Sequence, residues 1–262
     1  DKYHGLLLNT HSDFIKAGAE VIVTATFATR RKRLKDNQIE DKFEYLNQKA
    51  GEIAVKAKKI FSHILIAGGL PPQNFTYEAD SRNEKEITNN FKEQAKVLNP
   101  YIDFFYFDVL SSIKEIRCGI KAIKEFKKPY LIGIHISEGT NLPSGEKISE
   151  INNVIDDQVL GVMLSCISPE NYEANLKEIK NLGLPFGFKL NAFITTKPNT
   201  SYSENYLKNK TGNPADVLGK REDLNPKNMA RIVKKFKDAG ATILGGCCET
   251  GPSHIKAMAK LK

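Results

Sequence analysis

Apolar residues in this chain fall into seven short, nearly unbroken runs, at positions 20–27, 62–67, 102–108, 129–135, 159–166, 185–191 and 242–246. The runs are rich in Val, Ile, Leu and Phe and show no polar face, as expected of strands covered on both sides. Between them, apolar positions recur at helical spacing over residues 41–60, 84–98, 112–127, 169–182 and 225–239, with shorter helical patterns at 11–17 and 149–157. Gly18 suits the end of a helix, while Asn225 with Pro226, and Pro252, are start signals for the last two. Residues 1–10, containing Gly5-Leu-Leu-Leu8, read as a loop or the remnant of an earlier element.

Strands that alternate with helices build a parallel sheet with helices outside it. Seven units are one short of a (β/α)8 barrel, and the deficit falls at the N-terminus, where the chain leads straight into a helix. An open doubly wound sheet is the competing topology, but it usually carries a glycine fingerprint after its first strand, and none is present. The expectation is one domain over residues 1–262, an α/β (β/α)8 TIM-type barrel whose first strand is missing or altered at the N-terminus.

Charge changes this picture little. The 39 Lys and Arg residues exceed the 31 Asp and Glu, for a formal charge of +8, but they are spread along the chain. The one dense cluster, Arg30-Arg-Lys-Arg-Leu-Lys35, reads as a solvated first turn or loop after a strand, so no nucleic-acid partner is expected. No run approaches the ~20 apolar residues that span a bilayer. Four cysteines without a hydrophobic leader point to a reducing cytoplasm rather than a disulfide scaffold. Residues 195–223 form a polar stretch rich in Asn, Lys and Ser, long enough to mark a functional excursion or a mobile segment.

In a barrel the C-terminal ends of the strands converge on one pocket. Those ends carry Thr24 and Thr26, Gly68 and Gly69, Asp108, His135, Cys166, Asn191, and Cys247 with Cys248. Gly245 and Gly246 let the backbone turn tightly or come close to something bound. The adjacent cysteines have three readings: buried core, a strained vicinal disulfide, or metal ligands in need of a third soft partner. Cys166 ends a strand and supplies that partner, whereas Cys118 lies within a helix and reads as packed core. Three thiolates with an open fourth position have the layout of a catalytic zinc, and sulfur selects zinc over magnesium or calcium. Such a centre is a poor Lewis acid for hydrolysis but keeps a bound thiolate electron-rich. That suits alkyl transfer to sulfur from a positively charged donor. Asp108, as a buried carboxylate, needs a partner such as an amino acid's ammonium. His135, Tyr77, Tyr101 and Tyr106 read as hydrogen-bonded or packed residues before they read as functional ones.

Three segments carry a resemblance to the homocysteine S-methyltransferase family: Gly245-Gly-Cys-Cys-Glu-Thr-Gly-Pro-Ser-His-Ile255, Ser165-Cys166 followed by Ser168-Pro169, and residues 11–27. Weaker matches are Ala67-Gly-Gly-Leu-Pro-Pro72, residues 103–115 and Leu190-Asn191, so the resemblance runs along nearly the whole chain. It implies a zinc-binding (β/α)8 barrel that methylates homocysteine to methionine, with one zinc per chain on Cys166, Cys247 and Cys248. It places Asp108 where the family has a Glu that holds the amino acid end of homocysteine. Asn191 matches an Asn near the metal, and Thr24 and Thr26 match a Thr-Asn-Thr-like motif with Ala25 in its middle. Gly246 joins these as a substrate-side residue. The family's first strand, with its Asp-Gly-Gly segment, has no counterpart here. The donor it implies is a sulfonium or a quaternary ammonium compound. Two other readings stand beside it: a barrel lyase or aldolase using Asp108 or a lysine, and a basic binding protein with a structural zinc.

Overall fold

Each apolar run becomes a strand, and each strand pairs in parallel with the next in sequence order. The computed structural model describes residues 2–195 and 218–262. Its strands are β1 (Val21–Val23), β2 (Leu65–Leu70), β3 (Phe104–Leu110), β4 (Tyr130–Ile134), β5 (Val159–Ile167), β6 (Phe186–Leu190) and β7 (Ile243–Gly246). The helices are α1 (Lys2–Lys16), α2 (Arg31–Asp36), α3 (Phe43–Ile60), α4 (Glu84–Leu98), α5 (Ile113–Ile123), α6 (Pro169–Lys180), α7 (Pro226–Asp238) and α8 (Pro252–Ala259). Among the described residues β7 and β1 are not paired with each other, so the sheet is open at one seam. It is nonetheless curled, because side chains from β3 meet those of β5 and β6 across its concave face. The α/β barrel architecture expected from the sequence is therefore present with seven strands. The seam falls beside β1, where the deficit was expected.

Alternation along the strands divides the core in two. Phe105, Phe107, Ile132, Ile134, Val162, Leu164 and Phe188 face outward and join the main apolar cluster beneath the helices. Phe104, Tyr106, Leu131 and Met163 face inward and, with Ala67, plug the lower lumen. Above this plug the Tyr106 and Ser165 hydroxyls hydrogen-bond at 2.5 Å. Gly133 makes that contact possible, since a Cβ there would lie 2.5 Å from the Ser165 Oγ and 2.6 Å from the Tyr106 hydroxyl.

Helix starts set the rim. Asn83, Ser112, Ser168 and Asn225 each accept a hydrogen bond from a backbone N–H of the first turn, capping α4, α5, α6 and α7. Pro169 and Pro226 occupy the first helical positions, as does Pro252 in α8. Beneath the β1–β2 rim, Gln94 donates to the Thr26 carbonyl at 3.1 Å and to the Asn47 Oδ1 at 3.0 Å, tying α3 and α4 to the sheet.

Some boundaries differ from the sequence pattern. Residues 2–10 are helical rather than a loop, because α1 begins at Lys2 and buries His11 and Ile15 on one face. β2 continues through Gly68 and Gly69, which are strand residues and not rim turns. Residues 149–157 form a short 3-10 segment, Ile148–Asn153, instead of an α-helix. The basic cluster at 30–35 lies mostly in helix α2. There Arg31 pairs with Glu40 and Glu93, and Lys32 with Asp36. Much of the polar stretch at 195–223 lies outside the described residues. No helix among the described residues is long and apolar enough to cross a membrane.

Glycine positions give the fold a testable signature. A Cβ at Gly187 would sit 1.8 Å from the Ile243 carbonyl oxygen, within the β6–β7 pairing, whereas one at Gly5 in α1 meets nothing within 4 Å. Gly187→Ala is expected to destabilise the protein by about 2 kcal/mol or more. Gly5→Ala is expected to stabilise it by up to about 1 kcal/mol. Urea unfolding of the two variants checks both signs.

Candidate metal centre

By strict alternation Ser165 and Cys166 face opposite sides of β5, and Ser165 faces the lumen. Cys166 escapes this rule because β5 carries a bulge. Ser165 pairs with Lys189 and Ile167 with Leu190, leaving Cys166 as the extra residue. Its φ of 53° lies in the left-handed region, rare for a residue with a Cβ. β3 does the same at Val109 (φ 66°), between the Phe107–Ile132 and Leu110–Ile134 pairs. Both irregularities sit at the rim, and they place Val109 and Cys166 in one buried cluster with Tyr77, Phe193 and Leu218.

Cys247 and Cys248 arrive from the end of β7. The Cys247 N–H bonds the Leu190 carbonyl at 2.7 Å, and the Ala192 N–H bonds the Cys248 carbonyl at 3.0 Å, so β6 fixes their height. Thr250 then closes the turn, its hydroxyl bonding the Cys247 carbonyl at 2.6 Å. The sulfurs of Cys166, Cys247 and Cys248 lie within 4.8 Å of one another. Two ligands of a tetrahedral centre with bonds of about 2.3 Å stand about 3.8 Å apart. The Cys166 and Cys248 sulfurs are at 3.8 Å. The donor set and its spacing thus fit a soft divalent cation.

The three thiols share their charge unequally. Hydrogen bonds from Cys166 and then Cys248 hold the Cys247 thiol well below its usual range, with the Lys189 charge adding to the effect. Cys166 is raised, first by its hydrogen bond to Cys247, and Cys248 by its hydrogen bonds to Cys166 and Cys247. Two polar groups hold Cys166 from the side. The Tyr77 hydroxyl is 3.1 Å from its sulfur, and the Asn191 amide donates to it at 3.7 Å. The Phe193 N–H bonds the Asn191 Oδ1 at 3.3 Å, which orients that amide. His135 packs against the Tyr77 ring at 4.4 Å and bonds Ser137 at 2.9 Å. Burial pushes His135 down to about 4, so it stays a neutral imidazole. Its other ring nitrogen lies 3.3 Å from the Ser165 carbonyl, so both nitrogens have partners.

Asp108 also reaches the lumen, but not as a free carboxylate. Lys189 donates to its two oxygens at 2.8 and 2.7 Å. The Lys189 ammonium also lies 5.2 Å from the centre of the Tyr106 ring. Burial alone would lower Lys189, yet the Asp108 carboxylate holds it well above its ordinary value. Sequence reasoning missed Lys189. The available signal was a lone charge in an otherwise apolar strand, two positions before Asn191 and so on the same face.

Thr24 and Thr26 are buried and bonded to each other at 2.9 Å. Thr26 also donates to the Gly69 carbonyl at 2.6 Å, and the Gly69 N–H donates to Thr24 at 2.9 Å. Their hydroxyls thus lock the β1–β2 rim. Gly246 ends β7 against Thr250, where a Cβ would meet the Thr250 Oγ1 at 2.3 Å. Cys118 is buried in α5, away from the three clustered sulfurs.

A parallel α/β barrel with three cysteine sulfurs gathered at its strand ends is an enzyme-like arrangement, and the comparisons give its family. The family profile described as homocysteine S-methyltransferase matches residues 2–261. Homocysteine S-methyltransferase 3 of Arabidopsis thaliana is 23% identical over 98% of this chain and 80% of its own length. Homocysteine S-methyltransferase 2 of Saccharomyces cerevisiae is 26% identical over 94% of this chain and 77% of its own. The oxidised form of the Escherichia coli homocysteine methyltransferase MmuM superposes with a TM-score of 0.79 at 19% identity. That match covers 99% of this chain and 85% of that one. The metallated form gives 0.75 at 18% identity, covering 98% and 85%. The chain belongs to the homocysteine S-methyltransferase family. It is a methyltransferase that transfers a methyl group to homocysteine, giving methionine.

The hydroxyl on Cys166 yields a prediction. Tyr77→Phe keeps the packing but removes the hydroxyl that lies 3.1 Å from the Cys166 sulfur. If the three sulfurs hold zinc, its affinity, read by competition with a chelator, is expected to fall about tenfold or more. The Tm of the metal-free protein is expected to stay close to that of the parent.

Proposed function

We propose that Cys166, Cys247 and Cys248 hold one zinc ion per chain. At this centre the homocysteine thiolate takes a methyl group from a small sulfonium or quaternary ammonium donor. The observation that carries this reading is the meeting of three sulfurs, from β5 and from the end of β7, within 4.8 Å. What the metal supplies when bound is ionisation of an added thiol near neutral pH with its nucleophilicity kept. Three protein ligands suit a catalytic site, since a structural zinc is closed by four. Among the described residues the cluster holds three.

The chain's own groups have separable tasks. Tyr77 and Asn191 steady the Cys166 sulfur, while Val109, Phe193 and Leu218 make the wall around it apolar. Asp108 is the carboxylate for the amino acid end of the acceptor. Thr24 and Thr26 keep the opposite rim in place, and Gly246 leaves the backbone bare beside the sulfurs. The methyl carbon passes in line from donor to thiolate: a carbon–sulfur bond forms on the acceptor as the donor's bond to methyl breaks. The donor leaves with the electron pair and so becomes neutral, and no proton moves in that step.

The alternatives fit less well. An aldolase lysine must be a neutral amine to attack a carbonyl, whereas Lys189 is held as an ammonium by Asp108. The basic cluster at 30–35 is engaged internally: buried Arg30 bonds the Phe27 carbonyl at 2.8 Å and the Asn74 carbonyl at 3.2 Å.

The test is a donor screen with homocysteine as acceptor, measuring methionine with and without a chelator, alongside metal analysis. One zinc per chain is expected. Chelation or Cys247→Ala is expected to lower both zinc content and methionine formation at least about a hundredfold. Circular dichroism is expected to remain unchanged, because the main core lies outside the sulfur cluster. Methionine formation that persists in metal-free protein would remove the zinc reading.

A further inference from the structure

Among the described residues the lumen holds a buried ion pair whose lysine has no part in the sulfur cluster or in the acceptor contacts proposed above. Lys189 of β6 and Asp108 of β3 reach across the concave face and bind each other through both carboxylate oxygens. Their side chains are 17% and 9% exposed, so each charge has left most of its water. A buried pair is a weak source of stability, because the desolvation of two ions offsets much of their attraction. Its placement gives it another use. Lys189 pairs in register with Gly245, two residues below Cys247 on β7. It also precedes Asn191 by two residues, so the two side chains share the inner face, and the Asn191 amide reaches the Cys166 sulfur. In homocysteine the two head-group charges lie roughly 4–5 Å from the sulfur, given bonds of about 1.5–1.8 Å.

We infer that Lys189 is the carboxylate-binding residue of the acceptor site, and that the Asp108–Lys189 pair is a receptor for a zwitterion that closes on itself when empty. The inference rests on the proposed acceptor site and adds the group that selects its substrate class. An α-amino acid thiol enters between the two partners, its carboxylate on Lys189 and its ammonium on Asp108. One salt bridge is thereby exchanged for two, and no charge is left unpaired. The Tyr106 ring beneath Lys189 keeps the ammonium aimed into the lumen. The Tyr106 hydroxyl is in turn held by Ser165. Thiols that lack either head-group charge would split the pair and satisfy only half of it.

Calorimetry on the zinc-loaded protein tests this without recourse to turnover. The probes are homocysteine, 3-aminopropanethiol (no carboxylate) and 4-mercaptobutanoate (no ammonium). All three present the same thiol, so differences report the head groups. Wild-type protein is expected to bind homocysteine at least tenfold more tightly than either analogue. Lys189→Gln is expected to bind homocysteine and 3-aminopropanethiol about equally, with zinc content unchanged. Equal affinity of wild type for the three thiols would overturn the inference, as would homocysteine affinity undiminished in a folded Lys189→Gln protein. If Lys189→Gln does not fold, the wild-type comparison decides alone. Absence of methionine formation with every donor would defeat the proposed reaction while leaving this binding result legible.

Discussion

A β-strand sends successive side chains to opposite faces, and the sulfur cluster exists because β5 breaks that rule by one residue. With Ser165 committed to the lumen, Cys166 belongs among the helices. The left-handed turn at φ 53° brings it back to the inner side, where Cys247 and Cys248 arrive from β7. Holding a residue with a Cβ in that region costs on the order of 1–3 kcal/mol, and it persists only where the surroundings leave no alternative. Here the surroundings are the paired strands on either side and the Ser168 cap that starts α6 two residues later. Val109 on β3 repeats the device, so two strands spend their regularity at the same rim.

That device explains what the sequence could disclose and what it could not. Strand order, helix order and the α/β class are written in the apolar runs, because burial on both faces demands unbroken hydrophobic stretches and the helices between them demand a different period. The cysteine trio is legible too, since three thiols at the ends of apolar runs are chemically specific. The orientation of Cys166 is not, because no residue in Leu164-Ser165-Cys166-Ile167 announces a bulge. A glycine would have hinted at one, but a glycine carries no sulfur. Helix α1 is obscured by Gly5 and by the absence of an acidic first turn, although Leu8 and Ile15 pack on the core. Lys189 is hidden for a different reason. A lysine within an apolar strand looks like an interruption until its partner, 81 positions away on β3, is known.

Electrostatics ties the two halves of the site together. Where charges are this largely shielded from solvent, they act on one another more strongly than they would in water. The Cys247 thiol is low partly because Lys189 is near, and Lys189 remains an ammonium because Asp108 is nearer still. A cation at the sulfurs and a zwitterion at the pair would each enter a field already arranged for it. Such preorganisation needs no rearrangement of dipoles at the moment of reaction. His135, by contrast, is buried as a neutral ring and adds no charge.

The strain at the rim is affordable because the opposite face of the sheet is regular. Behind β6, Phe188 meets Tyr172 of α6 at 4.8 Å and Phe236 of α7 at 5.7 Å, and Tyr172 and Phe236 meet at 4.6 Å. These rings are almost wholly buried and draw α6 and α7 onto the strand that carries Lys189 and leads to Asn191. Aromatic contacts of this kind contribute about 0.5–1.5 kcal/mol each beyond the area they bury. The inner face can then hold its bulges, a buried ion pair and three clustered thiols without yielding, since the helices that would have to move are anchored from the outside. The stability of this protein and its chemistry occupy opposite faces of the same strands, and the two-residue period keeps them apart along the strands, while the rim irregularities at Val109 and Cys166 turn two residues toward the site.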